Sequence, residues 1–259
     1  MSRVKIIDLG PVAFFCLSQM LFVKAQTNGN DFVILKKKDY GAGHAVSKVL
    51  PEELGDRHLG IGCDQIIIID EIKDMKYGLE FFNWDGSSAE MCGNGICASA
   101  LYINRILGNK DKNIVFDVTD REYQTFINDN REITLFVEKP ILLEKTPKYQ
   151  IFSTGNKHLV CDIEMMDAIL ELRSKHQECN LHFIERTDDF IRMKTFERGV
   201  GWTKACGSGA IAVAASQDIK KGRMKIKHDG GASLVEICGE FIGLTVEPKL
   251  VFEGNLYEH

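Results

Sequence analysis

Two cysteines stand in matching company. Cys92 lies in DGSSAEMCGNGICASA and Cys206 in ERGVGWTKACGSGAIA. Each is followed by Gly-x-Gly and then by small and apolar residues that read as a helix. A helix N-terminus presents N–H groups without intrahelical partners and a partial positive charge. A thiol placed there is expected to ionise more readily than a free one, whose pKa is about 8.5. Gly93 and Gly95, and likewise Gly207 and Gly209, let a ligand approach the backbone, where the same N–H groups suit a carboxylate. If a twofold relation brings the two helix starts together, two thiols face one carboxylate-bearing ligand from opposite sides. Such a pair can invert a stereocentre: one thiolate removes the α-proton from one face, and one thiol returns a proton to the other. Helix N–H groups would stabilise the charge that builds on the carboxylate. The weak acidity of an α-proton calls for a dry, preorganised site.

Other readings of these residues carry less. A buried cysteine is ordinarily a small hydrophobe, which suits Cys63, Cys161, Cys179 and Cys238. A disulfide between Cys92 and Cys206 would be an oxidised, inactive form. CGSGA lacks the Lys-Ser/Thr ending of a phosphate loop, and GNGICA lacks a dinucleotide fingerprint. Cys92, Cys97 and His158 fit no closed zinc spacing. Neither a metal nor a cofactor is therefore expected.

These motifs sit in a chain of 259 residues, 44% hydrophobic and 27% charged, with a net charge of −5. That composition predicts a globular core, and without a Lys/Arg stripe it argues against nucleic acid as a partner. Lys36–Lys38 reads as a solvated strand end. No run is long enough to span a bilayer. The eight cysteines are sparse and several lie in apolar runs, so reduced thiols and a cytoplasmic location are expected. Residues 1–19 read as an extension ahead of the domain. A signal peptide is the other reading, weakened by Asp8 and Pro11 inside the apolar patch.

The periodicity predicts a mixed α/β protein in two similar halves. In the first, strands are expected at Met20–Lys24, Asp31–Lys36, Gln65–Asp70 and Leu79–Asn83. Helices follow at Pro51–Leu59 and Cys92–Leu107, and a meander at Ile114–Val118, Tyr123–Ile127 and Ile133–Val137. In the second, strands are expected at Lys148–Ser153, Leu159–Ile163, Leu181–Glu185 and Phe190–Phe196. Helices are expected at Met166–Arg173 and Cys206–Lys221, and a closing meander at Lys225–His228, Ser233–Cys238 and Phe241–Val246. Phe82 precedes Cys92 by ten residues and Phe196 precedes Cys206 by ten, so Asn83 matches Glu197. The turns Gly29-Asn30 and Gly155-Asn156 stand upstream in their halves. This is a twofold internal duplication. Each small-residue helix is apolar nearly all round and must be sheathed by strands.

With DGSSAEMCGNG and ERGVGWTKACGSGA in view, the chain resembles the diaminopimelate epimerases, which are cofactor-independent amino-acid epimerases. GNDF at Gly29–Phe32, DRHLGIGCDQ at Asp56–Gln65 and the GNKH turn support the resemblance, which spans roughly Met20 to the C-terminus. It implies two pseudo-symmetric domains, each a set of strands wrapped around a central helix, with the active site in the cleft between them. The divisions expected are residues 20–136 and 137–248, with a last strand within 249–259 returning to the first half. The implied reaction interconverts LL- and meso-2,6-diaminopimelate, toward lysine and peptidoglycan, with Cys92 and Cys206 as the acid/base pair. Asn30, Gln65, Asn83, Gly93, Asn94, Asn156, Asn180, Glu197, Arg198, Gly207 and Ser208 match substrate-contacting positions. His158 and Glu197 match residues that tune the thiols. The implied partner is a small molecule, and a homodimer is left open because the family often dimerises.

Each polar residue also has a plainer reading. Asn30 and Asn156 suit turns, Asn83 and Asn180 suit strand ends, Glu197 and Arg198 suit a surface, and His158 suits a structural role. The chain departs from the family pattern at Trp202, in place of an acid, at Cys97, in place of Arg, and at Lys157, in place of proline. Two alternatives stand beside an epimerase of this substrate. One is a related racemase using the same cysteine pair on another amino acid. The other is a two-lobed amino-acid-binding protein with idle cysteines.

Overall fold

The computed structural model describes residues 20–38, 51–73, 76–89, 91–219 and 221–256. The extension expected at residues 1–19 lies outside them, as do the last three residues of the returning segment. Among the described residues no helix is long and apolar enough to cross a membrane.

The first half opens with the hairpin β1 (Met20–Thr27) and β2 (Asn30–Lys36), and β2 runs parallel to β3 (Gln65–Lys73). β3 is antiparallel to β4 (Lys76–Asn83), which carries the short β5 (Ser88–Ala89) and runs parallel to β6 (Asn113–Val118). β6, β7 (Arg121–Ile127) and β8 (Ile133–Glu138) form a meander. The second half repeats this order strand for strand. The hairpin β10 (Tyr149–Ser153) and β11 (Lys157–Asp162) is followed by β12 (Cys179–Arg186), parallel to β11. β12 is antiparallel to β13 (Ile191–Glu197), which carries the short β14 (Gly201–Thr203) and runs parallel to β15 (Lys221–His228). β15, β16 (Gly231–Cys238) and β17 (Phe241–Val246) close the second meander.

Edge strands complete each set. β18 (Lys249–Leu256) pairs with β1, so the last strand does return to the first half. Its counterpart, β9 (Ile141–Lys145), pairs with β10, in a stretch where no strand was expected. The division expected at 136/137 falls inside β8, which runs on to Glu138.

Helices α1 (Pro51–Gly55), α2 (Gly93–Arg105), α3 (Ile169–Lys175) and α4 (Gly207–Ala215) punctuate the strands. Helix α1 stops short of the expected Leu59, where the chain turns and the Gly62 N–H bonds back to Leu54 O. The expected helix Met166–Arg173 is instead a 3₁₀ segment, Ile163–Ala168, that runs into α3. The expected helix Cys206–Lys221 ends at Ala215. Ser216 Oγ and Gln217 Nε2 both donate to Val213 O, and Asp218 takes a left-handed φ of 53°. Lys221 then opens β15.

Helices α2 and α4 are the two centres. Helix α2 is buried from Gly93 to Ile103 and α4 from Gly207 to Ala214 except at Ser208. The halves join by antiparallel pairing of β8 with β17, in which Leu135 faces Leu244. In the repeat register these two leucines are equivalents, so the pseudo-twofold axis passes between them. A Cβ on Gly93 would lie 3.3 Å from Leu135 Cδ2 and one on Gly207 would lie 3.1 Å from Leu244 Cδ2. Both helix starts therefore rest on the axis.

The floor under α2 is apolar. A Cβ on Gly95 would meet Phe81 Cε1 at 2.6 Å and Ile67 Cδ1 at 3.1 Å, with Phe32 beyond. Gly95→Ala overpacks this contact and is expected to cost ~1–3 kcal/mol. A thermal melt checks it: the midpoint should fall by roughly 2–4 °C per kcal/mol.

Candidate active site

Cys92 and Cys206 are the residues immediately preceding α2 and α4, both with extended backbone. The Gly209 N–H donates to Cys206 Sγ at 3.3 Å, and Ser208 Oγ lies 3.5 Å from the same sulfur. The structure thus brings both thiols to helix starts, as expected, and the two starts lie against each other: a Cβ on Gly207 would lie 3.2 Å from Asn94 Oδ1.

Their ionisation departs from the sequence expectation. Burial pushes the Cys92 thiol up to about 12, and the Glu197 carboxylate adds to the rise. The Gly95 and Asn94 N–H groups pull the other way without overcoming burial. Burial likewise pushes Cys206 well above the ordinary thiol range, again with Glu197 adding and with Ser208 and the Gly209 N–H opposing. The helix start does act in the predicted direction, but desolvation of a thiolate is the larger effect.

In the first half, Asn30 opens β2, Gln65 opens β3 and Asn83 ends β4. The parallel and antiparallel registers bring these three together: Phe32 faces Gln65, and Gln65 faces Asn83. Gln65 Nε2 donates to Asn83 Oδ1 at 3.3 Å, and Asn83 Nδ2 donates to Ser87 Oγ at 3.0 Å. A charge clamp holds the ends of β2 and β3 in register. Asp31 accepts two bonds from Arg57, at 3.0 and 2.7 Å, and pairs with Lys24 at 2.6 Å. Arg57 also reaches Asp64 at 2.8 Å, and the backbone N–H groups of Asp31 and Asp64 each donate to the other's carboxylate. Burial alone would raise Asp31, but Arg57 and Lys24 outweigh it and hold the carboxyl at about 2.

In the second half, Asn156 stands in the β10–β11 turn, Asn180 in β12 and Glu197 at the end of β13. Asn180 Oδ1 accepts from the Arg198 N–H at 2.9 Å. The Arg198 side chain is exposed at the rim. Glu197 Oε1 accepts from Thr203 Oγ1 at 2.6 Å, and burial raises its carboxyl. Trp202 packs edge-on to Phe196 at 5.4 Å and against Phe183 at 5.9 Å, outside the polar set. Cys97 is buried within α2.

His158 was expected in the turn but lies in β11, fully buried. Its Nδ1 bonds His182 Nε2 at 2.8 Å, and His182 Nδ1 bonds Thr195 Oγ1 at 3.2 Å. Ring nitrogens of both histidines lie within 4.8 Å of Cys206 Sγ. His182 and Thr195 escaped the sequence reading; a histidine and a threonine at inward positions of apolar strands were the available signal. Two histidines and a thiol have the composition of a zinc site. However, His158 Nδ1 and both nitrogens of His182 are already spent on hydrogen bonds within the chain of side chains.

Buried polar side-chain atoms lacking a partner cluster here. Among the described residues six occur, and five belong to this region: Asn30 Oδ1, Gln65 Oε1, Asn94 Oδ1, Thr154 Oγ1 and His158 Nε2. An unsatisfied buried polar group costs ~1–3 kcal/mol, so five in one place mark a site built for a polar ligand. A recess of about 350 Å³ reaches Met91, Thr154, Gly155, Asn156 and Ser208 beside them. A larger hollow of about 430 Å³ is lined by Asn28, Gly230 and Thr245, and by none of the residues that carry these atoms. The residues predicted at substrate, Asn30, Gln65, Asn83, Gly93, Asn94, Asn156, Asn180, Glu197, Gly207 and Ser208, all lie at strand ends, in turns or at helix starts.

A sequence profile of the family described as diaminopimelate epimerase matches residues 22–139 and 151–247. The chain is 32% identical to the diaminopimelate epimerase of Rickettsia akari (strain Hartford), over 93% of this chain and 98% of that one. It is 35% identical to that of Rickettsia bellii (strain OSU 85-389), over 77% and 82%. Among solved structures, a predicted epimerase from Pseudomonas aeruginosa superposes with a TM-score of 0.70, at 10% identity, over 93% of this chain and 100% of that one. A hydroxyproline epimerase from Agrobacterium vitis gives 0.66, at 11% identity, over 93% of each. At these identities the structural likeness is one of fold.

The buried histidines give stability a pH dependence. Burial holds His158 and His228 at about 4, against ~6.5 in an unfolded chain. Between those values the unfolded state binds more protons, so stability is full above pH ~6.5 and falls as the pH drops toward 4. Each histidine should contribute ~3 kcal/mol to that loss. Urea midpoints between pH 7.5 and 4.5 test this, and His228→Asn should flatten the dependence.

Proposed function

The chain belongs to the diaminopimelate epimerase family, and on that premise we propose that it interconverts LL- and meso-2,6-diaminopimelate without a cofactor. Cys92 and Cys206 serve as the acid/base pair. The observation that supports this reading is the set of buried polar side-chain atoms without partners, on Asn30, Gln65, Asn94, Thr154 and His158, in the two halves whose central helices each begin at a cysteine.

The α-carboxylate of the substrate is held by the N–H groups at the starts of α2 and α4, with Gly93, Asn94, Gly207 and Ser208 contributing backbone. Negative charge that develops on it as the α-proton leaves meets donors already in place. Asn30, Gln65, Asn83, Asn156 and Asn180 supply neutral amides for the distal ammonium and carboxylate, and Arg198 supplies a cation at the rim. Burial keeps both thiols protonated until a ligand with an ammonium group arrives beside them, a charge that favours one thiolate, whose proton leaves to solvent before the first turnover. That thiolate takes the α-proton, and the opposite thiol delivers its own to the other face. Glu197, bonded to Thr203, and His158 tune the two sulfurs. The reaction would serve lysine and peptidoglycan precursor synthesis in the cytoplasm, and a homodimer is compatible with it.

Each pure isomer incubated in heavy water is expected to yield the other isomer with deuterium at the α-carbon. Cys92→Ala or Cys206→Ala should lower turnover by about 10²–10⁴-fold or more. Incorporation into other amino acids but not diaminopimelate would instead identify a sister racemase. Binding without incorporation would identify a binding protein.

A further inference from the structure

The two halves differ beneath their helix starts. The repeat register pairs Phe32 with His158, Ile67 with His182, Phe81 with Thr195 and Gly95 with Gly209. Under α2, Gly95 rests on Phe32, Ile67 and Phe81. Under α4, Gly209 rests on His182, and the three equivalent positions are polar and bonded to one another. All three are buried, with exposures of 0% for His158 and His182 and 2% for Thr195. A polar chain thus replaces an apolar floor beneath one thiol of the pair.

Proton counting orders that chain. Among the described residues Thr195 Oγ1 bonds only His182. If His182 donated to Thr195, the Thr195 hydroxyl proton would be buried without an acceptor, a costly arrangement. If Thr195 donates to His182 Nδ1, then His182 Nε2–H donates to His158 Nδ1, and the one hydrogen left without an acceptor sits not on Thr195 but on His158, the residue beside Cys206. His158 then carries its remaining proton on Nε2, the atom that has no partner. We propose that Thr195 and His182 are positioning residues that fix His158 as the Nε2–H tautomer, so that this N–H is the donor offered to the Cys206 sulfur when it loses its proton. A ring nitrogen of His158 lies within 4.8 Å of Cys206 Sγ, and catalytic hydrogen bonds are often long before a ligand closes the site. The other charged or titratable neighbours do not supply such a donor. Glu197 and Cys92 both disfavour a thiolate at Cys206, and His228 acts on His182. This deepens the two-thiol reading of the site and rests on it only for its catalytic meaning.

The test is the pH dependence of iodoacetamide alkylation, read separately at Cys92 and Cys206 by peptide mass spectrometry in the full chain. Alkylation follows the thiolate fraction. His182→Ile, which copies the first half, is expected to slow Cys206 at pH 7.5 about tenfold, and Thr195→Val about threefold, as the loss of a hydrogen-bonded donor to the thiolate implies. Cys92 should stay within about twofold, since the chain lies under α4 alone. His182→Gln should retain most of the Cys206 rate, because an amide can donate to His158 and accept from Thr195 as the imidazole does. An unchanged Cys206 rate in both Thr195→Val and His182→Ile, or an equal fall at both cysteines, would overturn the proposal. The readout needs no substrate. A relay effect in a protein that does not turn over diaminopimelate would leave this inference standing and remove the proposed function. Normal turnover with no selective effect would do the reverse.

Discussion

The site depends on one antiparallel contact, that of β8 with β17 centred on Leu135 and Leu244. Because those leucines are equivalents in the repeat, the pair defines the axis, and whatever lies near it is presented twice from opposite sides. The two helices reach the axis at Gly93 and Gly207, where a side chain would press on the leucines or on Asn94. Each cysteine precedes its glycine by one residue. Closeness of the thiols therefore follows from strand pairing and from the absence of a Cβ at two positions, and it requires no direct bond between the motifs.

That arrangement has an energetic cost which the surrounding fold must offset. Five buried polar atoms lack partners in this region, and two thiols are desolvated beside a carboxyl group that burial has also raised. Compensation is visible nearby. The Lys24–Asp31–Arg57–Asp64 clamp ties two strand ends, and the apolar core runs unbroken through both halves and both central helices. Local inconsistency concentrated at one place and offset by consistency elsewhere is the usual mark of a functional site.

Duplication supplies symmetry of backbone but not of chemistry. The strands repeat pair for pair, yet the inward positions under the two helices carry different side chains, aromatic and aliphatic on one side and imidazole and hydroxyl on the other. The departures from the family pattern are accommodated without disturbing the polar set. Trp202 finds aromatic neighbours in Phe183 and Phe196, and Cys97 is packed inside α2.

Much of this was legible in the chain itself. The cysteine, Gly-x-Gly and small-residue helix repeat, the matched spacings of Phe82 and Phe196, and the apolar alternation of the strands are local patterns, and local patterns survive in sequence. The polar residues Asn30, Gln65, Asn83, Asn156 and Asn180 could be chosen from the motifs that carry the family resemblance, and Asn30 and Asn156 also because they recur in matching turns. Three things needed the tertiary structure. The thiols are raised and not lowered, because desolvation depends on what the rest of the chain places around a helix start. The second central helix ends at Ala215, because Ser216 and Gln217 fold back on it while Lys221 is claimed by a strand partner. His182 and Thr195 come under Cys206 only through pairing between β11, β12 and β13, and the spacing of those residues along the chain carries no sign of that contact.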